Sequence, residues 1–95
     1  MTNTTLVDAI VNKKKIKLVY NGQERVVEPH AYGLDKNGQG KIRVFQIAES
    51  QEHAGWRLLR EEAITDIQVL SETFDAPEAG YSRDDRHIPN IIAQL

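Results

Sequence analysis

Cysteine is absent from this chain of 95 residues, which rules out a disulfide staple or a thiolate metal site and fits a reducing compartment. Long apolar runs are also missing. Residues 1–17 hold neither the apolar stretch of a signal peptide nor that of a membrane span, so a cytoplasmic location without membrane association is expected. No charge of one sign dominates: 12 Lys and Arg stand against 14 Asp and Glu, a net charge of -2, which excludes a generally basic nucleic-acid coat. Disorder of the whole chain is excluded by a hydrophobic content of 40%, and a chain this short builds one core.

The charges that are present are clustered. Lys13, Lys14, Lys15 and Lys17 form one basic group, Lys41 and Arg43 a second, Arg57 and Arg60 a third, while acidic residues gather between Glu72 and Asp85. Along the chain, Thr5 has the spacing of a helix cap before Asp8, and Leu6, Ala9 and Ile10 follow at helical period, so a short helix is expected over residues 5–13. Ile16, Leu18 and Tyr20 alternate as in a strand, Asn21-Gly22 is a strong hairpin signal, and the return strand is expected over 23–28. Pro29 has no N–H for a ladder and is expected to end that strand or lie at its edge. Further strands are expected over 31–34, 41–48, 56–60 and 64–70, with a turn at 35–40, a polar loop at 49–55 and a turn at 61–63. About six short strands with closely spaced turns read as a small barrel or sandwich. Residues 75–87 read as an irregular segment, and Ile88, Ile91, Ile92 and Leu95, at i, i+3, i+4 and i+7 after Pro89, as an amphipathic C-terminal helix docked on the barrel. The expected organisation is a domain over 1–74 with its N-terminal helix, then a tail over 75–95.

Catalytic constellations are not apparent. The Gly33 to Gly38 stretch has part of a phosphate-loop spacing, but Gln39 stands where the lysine belongs. His30, His53 and His87 are widely separated and read as turn or surface residues, with no metal or cofactor expected. Glu61 and Glu62 are adjacent and read as a solvated turn.

The arginines say more. A two-residue Asn21-Gly22 loop pairs Leu18 with Arg25, which places Arg25 on the face of Ile16, Leu18, Tyr20 and Val27. A guanidinium on an apolar face stacks on Tyr20 or pairs with a carboxylate such as Glu28, or else holds a phosphate with its planar fork. Alternation puts Trp56, Leu58 and Arg60 on one face of their strand, and Arg57 and Leu59 on the other. Trp56 reads as core, or as a ring beside an arginine on which a base stacks.

Together, Ile16-Lys17-Leu18-Val19-Tyr20, Asn21-Gly22, Arg25-Val26-Val27-Glu28-Pro29, Tyr32-Gly33-Leu34, Trp56-Arg57-Leu58-Leu59-Arg60, the 64–70 strand, Phe74, Gly80-Tyr81-Ser82 and Ile91-Ile92-Ala93-Gln94-Leu95 resemble a compact, stand-alone WYL domain. The Trp-Tyr-Leu run that names the family is replaced here by Gly40-Lys41-Ile42-Arg43-Val44-Phe45. The resemblance implies a mainly β fold, a small Sm-like barrel with flanking short helices, in a bacterial regulatory or defence setting such as transcription regulation. It implies a ligand-binding module rather than an enzyme, recognising single-stranded nucleic acid or a nucleotide. Arg25, Arg57 and Arg60 are the expected phosphate contacts, with Tyr20 and Tyr32 as stacking surfaces, although Arg57 and Arg60 face oppositely and Arg60 is favoured as Arg25's companion, above an inward-packed Trp56. The alternative is a protein-interaction or homodimerisation module.

Overall fold

The computed structural model describes residues 2–47 and 54–95. His53, the end of the 41–48 strand and most of the expected 49–55 loop lie outside the described residues. The elements are α1 (Thr4–Val11), β1 (Lys14–Tyr20), β2 (Gln23–Leu34), β3 (Gly40–Gln46), β4 (Gly55–Arg60), a 3-10 turn (Glu61–Ala63), β5 (Ile64–Thr73) and β6 (Asn90–Gln94).

The helix is capped by Asn3, not Thr5: the Asn3 side chain accepts the N–H of Leu6 at 3.2 Å. It stops before the lysines because Lys13 takes a left-handed φ of 51°, which turns the chain into β1. Its buried stripe of Leu6, Ala9 and Ile10 meets Ile16 and Leu18 of β1, Val27 and Tyr32 of β2, Ile42 and Val44 of β3, and Leu59 of β4 to form the core.

One antiparallel sheet of six strands runs in the order β4-β3-β2-β1-β5, with β6 pairing β2. No ladder among the described residues joins β4 to β5, so the sheet is open. The Asn21-Gly22 turn sets the expected register, Leu18 opposite Arg25 and Tyr20 opposite Gln23. Asn21 and Gly22 both take positive φ, 49° and 82°, as such a turn requires.

Two expectations are corrected. Pro29 does not end its strand: β2 runs for 12 residues through it, and the register with β3 shifts by one between Pro29 and Ala31, a bulge at His30. The C-terminal helix is a strand. The β1 pairing covers β2 only as far as Val27, which leaves Ala31 to Leu34 with open hydrogen-bonding groups on that side, and β6 fills them. Its β-branched isoleucines suit a pleated surface, and so short a segment forms a marginal helix at best. Gly33 makes the contact possible: a Cβ there would overlap the carbonyl oxygen of Asn90 and come within 2.7 Å of the Ile88 Cγ2. Asn90–Gln94 are therefore a strand of the sheet, and among the described residues one α-helix, not two, flanks it.

Candidate functional site

Cross-strand partners share a face, so the ladder register sorts the expected site residues. Arg25 lies opposite Leu18 and Arg57 opposite Val44, both on the face that carries the core. Arg60, opposite Lys41, lies on the outer face with Leu58 and Trp56. By register Arg57 shares the Arg25 face, whereas Arg60, at the end of β4, meets the Tyr20 hydroxyl beside which Arg25 also stands. Trp56 packs on the outer layer, not inward.

Arg25 is held by its neighbours, although its buried Nε has no hydrogen-bond partner among the described residues. Its guanidinium stands 5.4 Å from the Tyr20 ring centroid and donates from Nη1 to Gln46 Oε1 and from Nη2 to Gln23 Oε1, each at 3.0 Å. Glu28 faces the other way and is not its partner. The Tyr20 hydroxyl accepts the backbone N–H of Arg60 at 3.2 Å. Burial works to raise that phenol, but the hydrogen bonds of the Arg60 backbone and guanidinium and the charges of Arg60 and Arg25 outweigh it and hold Tyr20 below its ordinary value. Arg60 itself is half exposed and pairs with Glu62 at 3.3 Å. Arg57 donates from Nη1 to the Trp56 carbonyl at 3.0 Å. Tyr32 cannot serve as a stacking surface: it is fully buried, its hydroxyl donating to Glu61 Oε1 at 2.9 Å and accepting from the Asn3 N–H at 3.1 Å.

The phosphate-loop stretch is closed on itself. Asp35 Oδ1 accepts the backbone N–H groups of both Asn37 and Gln39 at 2.9 Å, and the Gln39 bond first among its partners holds that carboxyl below its usual range. Those amides are not free to cradle an anion.

A different arrangement occupies the outer face. Lys41, Arg43 and Phe45 of β3 lie beside Arg60, Leu58 and Trp56 of β4, and residues 75–89 fold over this hairpin. Several contacts seat the overlying segment, among them a bond from the Tyr81 hydroxyl to the His30 carbonyl at 3.3 Å. His30, pushed outward at the bulge and fully buried, accepts the Glu78 N–H at Nε2 (3.0 Å), while its Nδ1 sits 2.8 Å from the Glu28 carbonyl. The Trp56 indole N–H donates to the Ala79 carbonyl at 3.2 Å. Arg43 Nε donates to Asp85 Oδ2 at 2.6 Å, with Asp85 largely buried. Burial works to raise the Asp85 carboxyl, but the Arg43 bond and the His87 N–H hold it below its ordinary range. Around His30 gather Trp56, Phe74 and Tyr81, with ring centroids 4.7, 5.3 and 5.1 Å away.

Between this segment and the hairpin run two adjoining cavities. The first, about 360 Å³, is walled by Trp56 and Tyr81 together with Arg43, Asp84, Arg86 and His87. The second, about 370 Å³, is lined by Asp35, Lys36, Asn37, Lys41, Leu58 and Pro89, and shares Arg86 and His87 with the first. Of the cations here, Arg43 is tied to Asp85 and Lys41 to Asp35, whereas Arg86 and Lys36 are exposed and have no ion pair among the described residues. The sequence signalled part of this groove, in the Trp56-Leu58-Arg60 face and the Lys41 and Arg43 cluster. Arg86 and His87 were hidden in a stretch that reads only as irregular.

No group of three or more His, Asp or Glu able to hold a metal ion occurs among the described residues, and no helix among them is long and apolar enough to cross a membrane. Comparison of the chain with family models, curated proteins and solved structures finds no match.

Proposed function

We propose that the chain is a ligand-binding regulatory module of the WYL-like kind, working in the cytoplasm, whose ligand carries phosphate: a nucleotide or single-stranded nucleic acid. The observation that carries this reading is the outer groove, where the rings of Trp56 and Tyr81 wall the same cavity as Arg43, Arg86 and His87. Aromatic faces beside guanidinium groups are what a base and its phosphate require together. The connectivity supports the Sm-like barrel reading as well. β5 pairs β1 at one end of the sheet, β4 lies at the other, and a 3-10 turn of 3 residues links them directly. Binding fits the groove better than catalysis, because its buried carboxylate, Asp85, is committed to Arg43.

Fluorescence anisotropy of a labelled single-stranded oligonucleotide and of a labelled nucleotide, each titrated at several salt concentrations, tests the reading. Saturable binding whose affinity falls with salt, by roughly 0.7 in log K per log unit of salt for each phosphate contact, supports it. Absence of binding to both at low salt refutes it. A second reading, a protein-interaction or homodimerisation module, rests on the outer edges of β4 and β5, neither paired among the described residues. Light scattering that shows a dimer would favour it.

A further inference from the structure

We propose that the groove takes a nucleoside polyphosphate, one molecule at a time, rather than a nucleic-acid strand drawn through it; this rests on the phosphate-ligand reading above. A strand needs a continuous cationic track with successive stacking surfaces. The groove offers neither. Large aromatic walls occur at one end only: Trp56 and Tyr81 line the first cavity, and among the described residues no Trp, Tyr or Phe lines the second, where the only aromatic ring is the shared His87. Positive charge is interrupted too, since Arg43 and Lys41 are each paired with a carboxylate, Asp85 and Asp35. The cations without an ion pair among the described residues are Arg86, where the two cavities meet, and Lys36 in the second cavity.

That polarity matches one molecule laid along the groove. The base lies against Trp56 and Tyr81. The first phosphate reaches Arg86 and His87, and the further phosphates extend toward Lys36. Asp84, in the first cavity, is held by Gln94, which accepts its backbone N–H at 2.9 Å and donates to its Oδ1 at 3.1 Å. Its carboxylate stands where an additional backbone phosphate would be repelled and a ribose hydroxyl accepted.

Trp56 is the one tryptophan in the chain, so its fluorescence reports directly on the first cavity. The experiment titrates the parent, Lys36→Ala and Arg86→Ala, in metal-free buffer, with a nucleoside, its 5′-monophosphate, its 5′-triphosphate and a single-stranded oligonucleotide of the same base. Both substituted residues are exposed, and a melting curve verifies that each variant is folded. The triphosphate is expected to bind at least about tenfold tighter than the monophosphate and the nucleoside not to saturate, since a hydrogen bond to a charged group corresponds to roughly a tenfold change or more. Lys36→Ala is expected to erase the triphosphate advantage, and Arg86→Ala to weaken both phosphates. An oligonucleotide that binds tighter than the triphosphate, or a triphosphate affinity unmoved by Lys36→Ala, overturns the inference while leaving the phosphate-ligand reading standing. Failure of every phosphate compound, oligonucleotide included, to saturate removes both.

Discussion

The backbone N–H of Glu78 donates to Nε2 of His30 at 3.0 Å, and this bond fixes the charge state of the histidine. Nε2 is an acceptor, so Nδ1 carries the proton and donates it to the Glu28 carbonyl at 2.8 Å. Protonating Nε2 would set two N–H groups against each other. Burial is the main cause that holds His30 below its ordinary value, opposed by the Glu28 bond and the charge of Glu78.

Stability should therefore depend on pH through His30. With the folded value depressed, its contribution is fully present above the unfolded pKa of about 6.5 and is lost as pH falls from there toward the folded value. Melting curves across that range are expected to show the parent losing stability on acidification. His30→Phe, which leaves the Glu78 N–H without an acceptor, should be less stable at neutral pH and show a shallower decline. Equal slopes in the two proteins would contradict the assignment.

Glu28 titrates in the opposite sense. Its side chain is 9% exposed, one oxygen, Oε1, has no hydrogen-bond partner among the described residues, and Lys15 is 3.9 Å away. Burial first, and Glu78 second, raise its carboxyl above the ordinary value against the pull of Lys15. The charged form is thus disfavoured in the fold, and stability drops as pH rises from the unfolded value of about 4.3 through the folded one. Glu28→Gln should match the parent in acid and exceed it at neutral pH by about 1 kcal/mol, the scale of an unsatisfied buried group. Denaturant unfolding at the two pH values measures it.

Arg25→Lys should destabilise the fold by about 1–2 kcal/mol, because an ammonium replaces neither the planar contact with Tyr20 nor the two glutamine bonds. Nucleotide affinity is expected to stay within about twofold of the parent, a difference of less than 1 kcal/mol. A folded variant of parental stability that has lost binding would restore Arg25 as a ligand contact.

Gly33→Ala should detach β6. The added methyl meets the Asn90 backbone and the Ile88 side chain, and overpacking of this kind costs typically about 1–3 kcal/mol. Hydrogen exchange is the direct readout: amides at the β2–β6 ladder should lose protection while those of the β1–β2 hairpin keep theirs.

What the sequence discloses about this molecule divides along local and non-local physics. The Asn21-Gly22 register and the Trp56-Leu58-Arg60 face follow from turn chemistry and strand alternation, and both hold in the structure. The Asn3 cap was missed because Thr5 has an equally good local spacing. Ile88, Ile91, Ile92 and Leu95 fit a helical period, and only the vacant side of β2 decides for a strand. The bulge at His30 turns on where β2 must bend to serve three neighbours, which no short window contains. The groove is the least legible feature, since Arg86 and Trp56 are brought to one cavity by a segment without periodicity.

The central claim is that this groove holds a phosphate-bearing ligand. An NMR titration of the folded protein with a nucleoside 5′-triphosphate tests it most directly. The expected result is saturable shifts at the Trp56 indole N–H and the amides of Ser82, Arg86 and His87, with Tyr20 and Arg25 unmoved. Shifts that cluster instead at Tyr20 and Arg25, or a spectrum unchanged at millimolar ligand, would contradict it.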